Sequence, residues 1–274
     1  MISPSESTRS GRGNGFTLIE LMVSIAIVLI LAALLTTGVR RAKQAVWETR
    51  CQSNHRQLML AWHLYAAEHD DALPWTVDDG EGIPFTNWVA GSMSHPLQAI
   101  SAWLLVDANR SLFSRYITTP ETYKCPADRS DHVRSVSMNN RMNPIRFSGP
   151  PLAIGGWGTN FMVYRRLGDI RQPSSIFVFI DERSDSINEG NFAIDLSNTG
   201  DYSGEGTPSP YWWIDTPAGH HLGAGMLSFA DGHVERHLWL EPSTLGPLGV
   251  TGPRHTSATD RDIAWLQART AERR

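Results

Sequence analysis

The chain has 274 residues, of which 41% are hydrophobic and 19% are charged, and its formal net charge is -4. A mean hydropathy of -0.26 excludes a polytopic membrane protein, and the mildly negative charge lacks the basic footprint of a nucleic-acid partner. Ten Trp, nine Phe and six Tyr supply enough apolar surface for a buried core, which excludes a chain disordered throughout.

The N-terminus combines a short polar leader with one long apolar run. Residues 1–15 contain Ser, Gly and Arg but no apolar stretch, which is typical of a processed leader. The run that starts at Phe16, FTLIELMVSIAIVLILAALLTTGV, is long enough at ~1.5 Å per residue to cross a hydrocarbon layer of roughly 30 Å. No Ala-x-Ala-like cleavage site follows it, so we expect a retained transmembrane helix over residues 16–39.

One ionisable side chain, Glu20, interrupts the apolar run. On insertion scales such a group costs on the order of 2.5 to 3.5 kcal/mol at the centre of a membrane helix and less near its end. Two interpretations follow: Glu20 has a functional partner in the membrane, or it lies close enough to the interface to stay hydrated. Composition alone does not decide between them.

The segment Gly15 to Glu20, GFTLIE, stands between a basic leader and an apolar helix. In this arrangement it resembles the cleavage and methylation site of type IV prepilins and type II secretion pseudopilins. The resemblance implies that a prepilin peptidase cuts between Gly15 and Phe16 on the cytoplasmic side and that the Phe16 amine is then N-methylated. Glu20 becomes the fifth residue of the mature chain, an acid thought in that family to neutralise the N-terminal amine of a neighbouring subunit during assembly.

The resemblance also implies a location and partners. The chain is expected to be a single-pass inner-membrane protein with its globular domain periplasmic or extracellular, and to contact the membrane, the peptidase and other pilin-like subunits. The basic residues alone do not favour this orientation, because Arg40, Arg41 and Lys43 follow the span while Arg9 and Arg12 precede it. The expected orientation therefore rests on the cleavage motif alone.

Beyond Gly38 the sequence stays compatible with a helix, and no proline occurs before Pro74. Residues at spacings of three and four share one face, which predicts an amphipathic half of the spine helix over residues 40–70 that packs on a globular domain. These residues are Cys51, His55, Leu58, Trp62, Tyr65 and His69. Asp70 and Asp71 oppose the helix dipole and Pro74 disfavours helical geometry before it, so the helix is predicted to run from about Phe16 to about Glu68.

The spine helix carries a second resemblance. The pattern Cys51-x-x-Asn54-x-x-Gln57-Leu58 resembles a large bacterial subfamily of pilin-like proteins. That subfamily usually has a leucine where this chain has His55, a departure that concerns packing.

Residues 71–274 are predicted to form one globular domain, which gives an α+β, pilin-like fold with the spine helix packed on an antiparallel sheet. The segment His95 to Ile117 is expected to be helical, and Tyr123 to Asp128 forms a Cys-Pro turn. The run Ile176 to Glu182 is typical of a buried strand. Two Gly-rich and Pro- or Ser-rich stretches, residues 143–160 and 197–210, are predicted to be long surface loops.

The segment from Gly225 to Trp239 predicts a β-hairpin. Asp231-Gly232 lies between two alternating runs, as in a type I′ turn with positive φ at both central residues. The prediction places Phe229 opposite Val234, and Ser228 opposite Glu235.

His221, nine further residues and then Asp231-Gly232 resemble the C-terminal domain that accompanies prepilin leaders and is named processing-associated for that reason. The family name does not supply the role of the histidine. A metal or catalytic site built from His221, Asp231 and His233 would need a sharp bend at Gly223 or Gly225, because ten residues of extended chain span about 33 Å. The hairpin needs no such bend, so we favour a structural role.

Two further groups of residues are candidate sites. Asp181, Glu182 and Asp185 offer oxygen ligands, and calcium is known in the C-terminal loops of some pseudopilins; their spacing does not match an EF-hand, so a solvated acidic loop without a cofactor is favoured. Cys51 and Cys125 both lie beyond the membrane in the expected topology. They are expected either to form a disulfide worth about 4 kcal/mol or to remain two buried thiols.

No nucleophile-elbow, phosphate-loop or zincin motif occurs in the sequence. Their absence removes the common arguments for an enzyme but does not exclude one. The resemblance to prepilins implies a non-enzymatic, pilin-like structural subunit that assembles through its N-terminal helix into a type IV pilus or a type II secretion-type filament. The alternative is a membrane-anchored binding or metal-dependent enzymatic domain exported by the prepilin route.

Overall fold

The computed structural model describes residues 16–77, 87–145, 160–196, 212–249, 254–257 and 259–274. The predicted leader, including Gly15, and most of the two predicted long loops lie outside the described residues. The chain divides into two compact units, Met1–Ala45 and Val46–Arg274.

The predicted spine is one α-helix, α1 (Leu18–Glu68). It ends where Asp70 and Asp71 adopt positive φ values of 53° and 62°, and the Asp71 N–H donates to the Ala66 carbonyl at 2.9 Å. Among the described residues, α1 is the one helix long and apolar enough to cross a membrane. Its large apolar side chains from Leu18 to Val39 are exposed.

The second unit contains a five-stranded sheet. Its strands are β2 (Val136–Asn139), β4 (Phe177–Asp181), β5 (Asn191–Phe192), β7 (Ala224–Phe229) and β8 (Val234–Leu238), in the order β5-β2-β4-β7-β8. Two small two-stranded sheets accompany it, formed by β1 (Thr76–Val77) with β3 (Pro144–Ile145) and by β6 (Trp212–Trp213) with β9 (Arg254–His255).

The α+β, pilin-like class is confirmed, but the main sheet is mixed and not antiparallel throughout. Strands β2 and β5 run parallel, whereas the β2–β4, β4–β7 and β7–β8 pairs are antiparallel. The predicted strand around residues 176–182 becomes β4, and all five of its residues are buried at the centre of the sheet. Burial on both faces explains its continuous apolar sequence.

The hairpin forms with a register one residue away from the predicted one. Ser228, and not Phe229, lies opposite Val234. The Phe229 N–H donates to the His233 carbonyl at 3.0 Å, which leaves residues 230–232 as a three-residue loop. Gly232 in this loop has a φ of +94°, as in a type I turn followed by a left-handed residue. The predicted two-residue type I′ turn is therefore wrong.

One helical prediction is wrong, and one helix was not predicted. The segment His95 to Ile117 contains two short 3-10 helices, Ala102–Val106 and Leu112–Arg115. Between them the Asp107 carboxylate accepts a bond from the Asn109 N–H at 2.9 Å, a local bond that competes with helical pairing. In addition, the sequence pattern did not predict α2 (Arg261–Thr270) near the C-terminus.

Within the second unit, one face of its part of α1, from Val46 onward, packs into the core. Of the predicted face, Cys51, His55, Leu58, Trp62 and Tyr65 are buried. The exception is His69, which is exposed and stacks its ring on Tyr65. Leu58 and Trp62 share one hydrophobic cluster with the β4 residues Phe177 and Phe179. This packing fixes the buried face of α1 against the sheet.

Candidate functional site

The N-terminal motif forms a reciprocal cap on α1. The Thr17 N–H and hydroxyl donate to the Glu20 carboxylate at 2.9 and 2.8 Å, and the Glu20 N–H donates to the Thr17 hydroxyl at 3.3 Å. This is the geometry of a capping box, in which a Thr and a Glu three residues later satisfy each other's backbone donors. The Thr-x-x-Glu spacing is the sequence signature of this cap. Capping is a third role for Glu20, beside a functional partner in the membrane and a hydrated position near the interface. Phe16, the expected mature N-terminus, is 72% exposed.

A second site lies within the globular unit, where four potential metal ligands meet. Cys51 comes from α1, Cys125 from the Cys-Pro turn, Asp181 from the end of β4 and His221 from the turn before β7. One ligand atom from each lies within 4.8 Å of all the others. All four residues have 0% solvent exposure.

Direct contacts pair the members of this cluster, which we call the Cys–Asp–His cluster. The Cys51 thiol donates to Asp181 Oδ2 at 3.3 Å, and Cys125 Sγ lies 3.2 Å from His221 Nε2. A further buried histidine, His55, places Nε2 3.3 Å from Asp181 Oδ1. The site therefore combines two sulfur atoms, one carboxylate and one imidazole, with a second imidazole behind the carboxylate.

The buried surroundings affect the ionisable groups differently. Burial raises the pKa of the Cys51 thiol well above its ordinary value, and its contacts with Cys125 and Asp181 act in the same direction. Burial also acts to raise the pKa of Asp181, but the hydrogen bond and charge of His55, with the charges of His220 and His221, outweigh it and lower that pKa. Without a bound cation, Cys51 is thus a neutral thiol next to a carboxylate.

Backbone turns hold two members of the cluster. The Cys125 N–H donates to the Ser135 hydroxyl at 2.8 Å, which fixes the start of the Cys-Pro turn. His221 and Ala224 exchange backbone hydrogen bonds of 3.0 and 3.3 Å across a tight turn. The two residues between them, Leu222 and Gly223, have φ values of 56° and 84°. A left-handed conformation is unfavourable for leucine, so this turn is held by its surroundings.

Of the two alternatives for Cys51 and Cys125, a disulfide or two buried thiols, the structure has the two thiols. The fold brings the two cysteines together as expected, but both are free thiols. Each thiol has another polar neighbour, Asp181 for Cys51 and His221 for Cys125. The alternative of two buried thiols describes the structure.

The residues of the C-terminal signature do not share a site. His221 precedes β7 and belongs to the Cys–Asp–His cluster, whereas Asp231 and Gly232 follow β7 in the hairpin loop. Asp231 Oδ1 lies 2.6 Å from His233 Nδ1 at the surface. The site considered from His221, Asp231 and His233 is therefore not formed.

The acidic residues considered for calcium also separate. Asp181 belongs to the cluster, while Glu182 accepts a bond from the Ser186 hydroxyl at 2.8 Å. Asp185 forms two bonds of 2.8 and 2.6 Å with the Arg183 guanidinium. The fold gives these three carboxylates different partners.

The sequence pattern did not group the four cluster residues, because they are far apart in the chain. Cys51 and Asp181 are separated by 130 positions, and Cys125 and His221 by 96. The spacing rules for metal motifs apply to ligands on neighbouring turns of one element. The departure at His55, a polar residue on a core-facing helix side, was the one local indication of a buried polar site.

Comparison with known families identifies the N-terminal segment. Residues 12–36 match the family model described as the prokaryotic N-terminal methylation motif. The match does not reach the C-terminal signature at His221, and no curated protein or solved structure matches the chain. The matched segment supports a pilin-like protein that is processed by a prepilin peptidase, and its apolar helix supports membrane anchoring.

Proposed function

We propose that this protein is a structural subunit that assembles through α1 into a type IV pilus or a type II secretion-type filament. Cleavage occurs between Gly15 and Phe16, and the new Phe16 amine is N-methylated. The observation that carries the proposal is the methylation motif at residues 12–36, with Glu20 five positions into the mature chain. The globular unit then lies in the periplasm or outside the cell.

The surface of α1 supports assembly through this helix. Its first turns expose large apolar side chains, among them Leu18 at 73%, Leu34 at 65% and Leu35 at 68%. Exposed apolar surface of this extent needs a cover of lipid or of other apolar helices. Lipid covers this surface while the subunit is in the membrane. Copies of the same helix cover it after assembly.

Glu20 supplies a charge next to the mature N-terminus. Its carboxylate already caps its own helix through Thr17, and one carboxylate has lone pairs for more than one donor. In the assembled state it neutralises the Phe16 amine of a neighbouring subunit, so that neither charge is unpaired in an apolar environment. Capping and assembly are thus separate roles of the same group.

Two substitutions distinguish these roles. Glu20→Gln keeps an acceptor for the Thr17 N–H but removes the charge, whereas Thr17→Ala removes the hydroxyl of the cap and keeps the carboxylate. We expect Glu20→Gln to abolish filaments and Thr17→Ala to retain them. The measurement is electron microscopy of sheared cell-surface fractions, with the membrane level of each subunit determined by immunoblotting. Normal filaments in the Glu20→Gln strain would contradict the proposal.

The alternative is a membrane-anchored binding or metal-dependent enzymatic domain exported by the same route. The Cys–Asp–His cluster does not favour the enzymatic form of this alternative. A catalytic metal site keeps an open position for water or substrate. All four cluster residues have no solvent exposure, and four protein donors would be enough for a tetrahedral set without water or substrate. A buried set of this kind favours a non-enzymatic, structural role.

A further inference from the structure

We infer that Cys51, Cys125, Asp181 and His221 bind one structural metal ion of the zinc class. In a tetrahedral zinc site with ordinary bond lengths, neighbouring ligand atoms lie about 3.3 to 3.8 Å apart. The two contacts within the cluster are 3.2 and 3.3 Å, and all four ligand atoms lie within 4.8 Å of one another. Small side-chain adjustments therefore close the set around an ion.

The donor atoms select the kind of metal. Two thiolates and an imidazole are soft or borderline ligands that suit zinc, whereas calcium and magnesium prefer six or more oxygen ligands. The cluster offers one carboxylate, Asp181, as its oxygen donor. On binding, the two thiols release their protons to solvent and coordinate as thiolates.

The burial of the cluster indicates a structural site. The four ligands come from separate segments of the globular unit: the buried face of α1, the Cys-Pro turn, the end of β4 and the turn before β7. A closed site with four protein ligands stabilises the folded state directly. The ion would thus join α1 to the sheet, the task first considered for a disulfide between the same two cysteines.

Groups around the ligands orient them for coordination. Asp181 Oδ1 faces His55, while Oδ2 accepts the Met226 N–H at 3.2 Å and lies on the side of Cys51. His55 Nδ1 in turn lies 3.4 Å from the Ser228 hydroxyl. Such second-layer hydrogen bonds to a ligating carboxylate are typical of metal sites. His55 is thus a positioning residue for Asp181.

A surface cavity lies next to the cluster. It has a volume of about 420 Å³, and Cys125 is one of its lining residues. Polar side chains around it include Lys124, Asp128 and His132.

Metal content and thiol state of the full chain in detergent micelles test the inference. The protein is purified with a non-chelating reductant, incubated with zinc in a weak chelating buffer, and analysed for bound zinc by mass spectrometry of the metal. We expect one zinc per chain in the unaltered protein, and its loss in Cys125→Ser and His221→Gln. Asp231→Asn, which alters the other part of the same signature, is the matched control and should keep the ion.

Cobalt replaces zinc in a measurement that does not depend on the variants' folding. The unaltered protein with cobalt should show a thiolate-to-cobalt charge-transfer band and the intense visible bands of tetrahedral coordination. A protein that binds neither ion, with two alkylatable thiols or with a Cys51–Cys125 disulfide, would overturn the inference. Cobalt bound without the thiolate band, or zinc retained by His221→Gln at the level of the unaltered protein, would overturn it as well.

Discussion

Gly225 lies in β7 at a place where the structure has no room for a side chain. A Cβ atom there would lie 2.7 Å from the Ala218 carbonyl oxygen and 3.2 Å from Trp239 Nε1. These two groups are bonded to each other, since the Trp239 indole N–H donates to the Ala218 carbonyl at 2.9 Å. Gly225→Ala must therefore move the backbone at residue 218 or displace the indole.

The cost of Gly225→Ala follows from these contacts. Loss of the indole hydrogen bond contributes about 1 kcal/mol, and the overpacking contributes roughly 1 to 3 kcal/mol. The reduced freedom of the unfolded chain offsets about 0.4 to 1 kcal/mol. We expect a net loss of about 2 kcal/mol in the free energy of unfolding, or a Tm lower by about 4 to 8 °C for a unit of this size.

Urea unfolding of the full chain in micelles, followed by tryptophan fluorescence, measures this loss. Gly168→Ala is the matched control, because nothing lies within 4 Å of the Cβ position at residue 168. Trp239→Phe isolates the hydrogen bond, with an expected loss of about 1 kcal/mol or more. If Gly225→Ala unfolds at the same urea concentration as Gly168→Ala, the argument from close approach is wrong.

Three further substitutions test other parts of the fold and site. Leu222→Gly should raise the free energy of unfolding by roughly 0.5 to 1 kcal/mol, because relief of the left-handed conformation exceeds the entropy that glycine adds to the unfolded chain, and a lower Tm would contradict this. Asp260→Ala should cost about 1 kcal/mol and speed amide exchange in the first turn of α2, because its carboxylate caps the N–H groups of Asp262 and Ile263 at 3.1 Å. His55→Leu should weaken zinc binding roughly 10- to 100-fold in chelator competition, and unchanged affinity would remove its positioning role.

The length of α1 and the central strand were predictable because both depend on local sequence. The spine ends at Glu68 because Asp70 and Asp71 leave the helical region shortly before Pro74, and β4 follows from a continuous apolar run. The parallel β2–β5 pair was not predictable, since strand direction depends on how the intervening chain returns.

The hairpin and α2 show the limits of local patterns in different ways. Asp231-Gly232 fits a two-residue loop and also a three-residue loop that ends in a left-handed glycine, and the surrounding β7–β8 pairing selects the second. By contrast, the start of α2 is indicated by the sequence itself, because Asp260 is a residue type that commonly caps a helix N-terminus.

The two candidate sites differ in the same way: one could be predicted from local sequence and the other could not. The prepilin motif at Gly15, Phe16 and Glu20 is contiguous, so the sequence alone contained it. The Cys–Asp–His cluster depends on long-range packing of α1 against the sheet, because its four ligands come from separate segments. His55 lies at helical spacing from Cys51, but it contacts Asp181 and is not one of the four ligands. His221, the histidine of the C-terminal signature, contacts Cys125 only in the folded chain, so the sequence alone does not show this contact.

The N-terminus of the mature protein tests the central claim most directly. The protein is isolated from membranes of cells that contain a prepilin peptidase, and its intact mass and N-terminal peptide are determined by mass spectrometry. We predict a chain that starts at Phe16 with one methyl group on its amine. A mature chain that still begins at Met1 would contradict the account of this protein as a processed, pilin-like subunit.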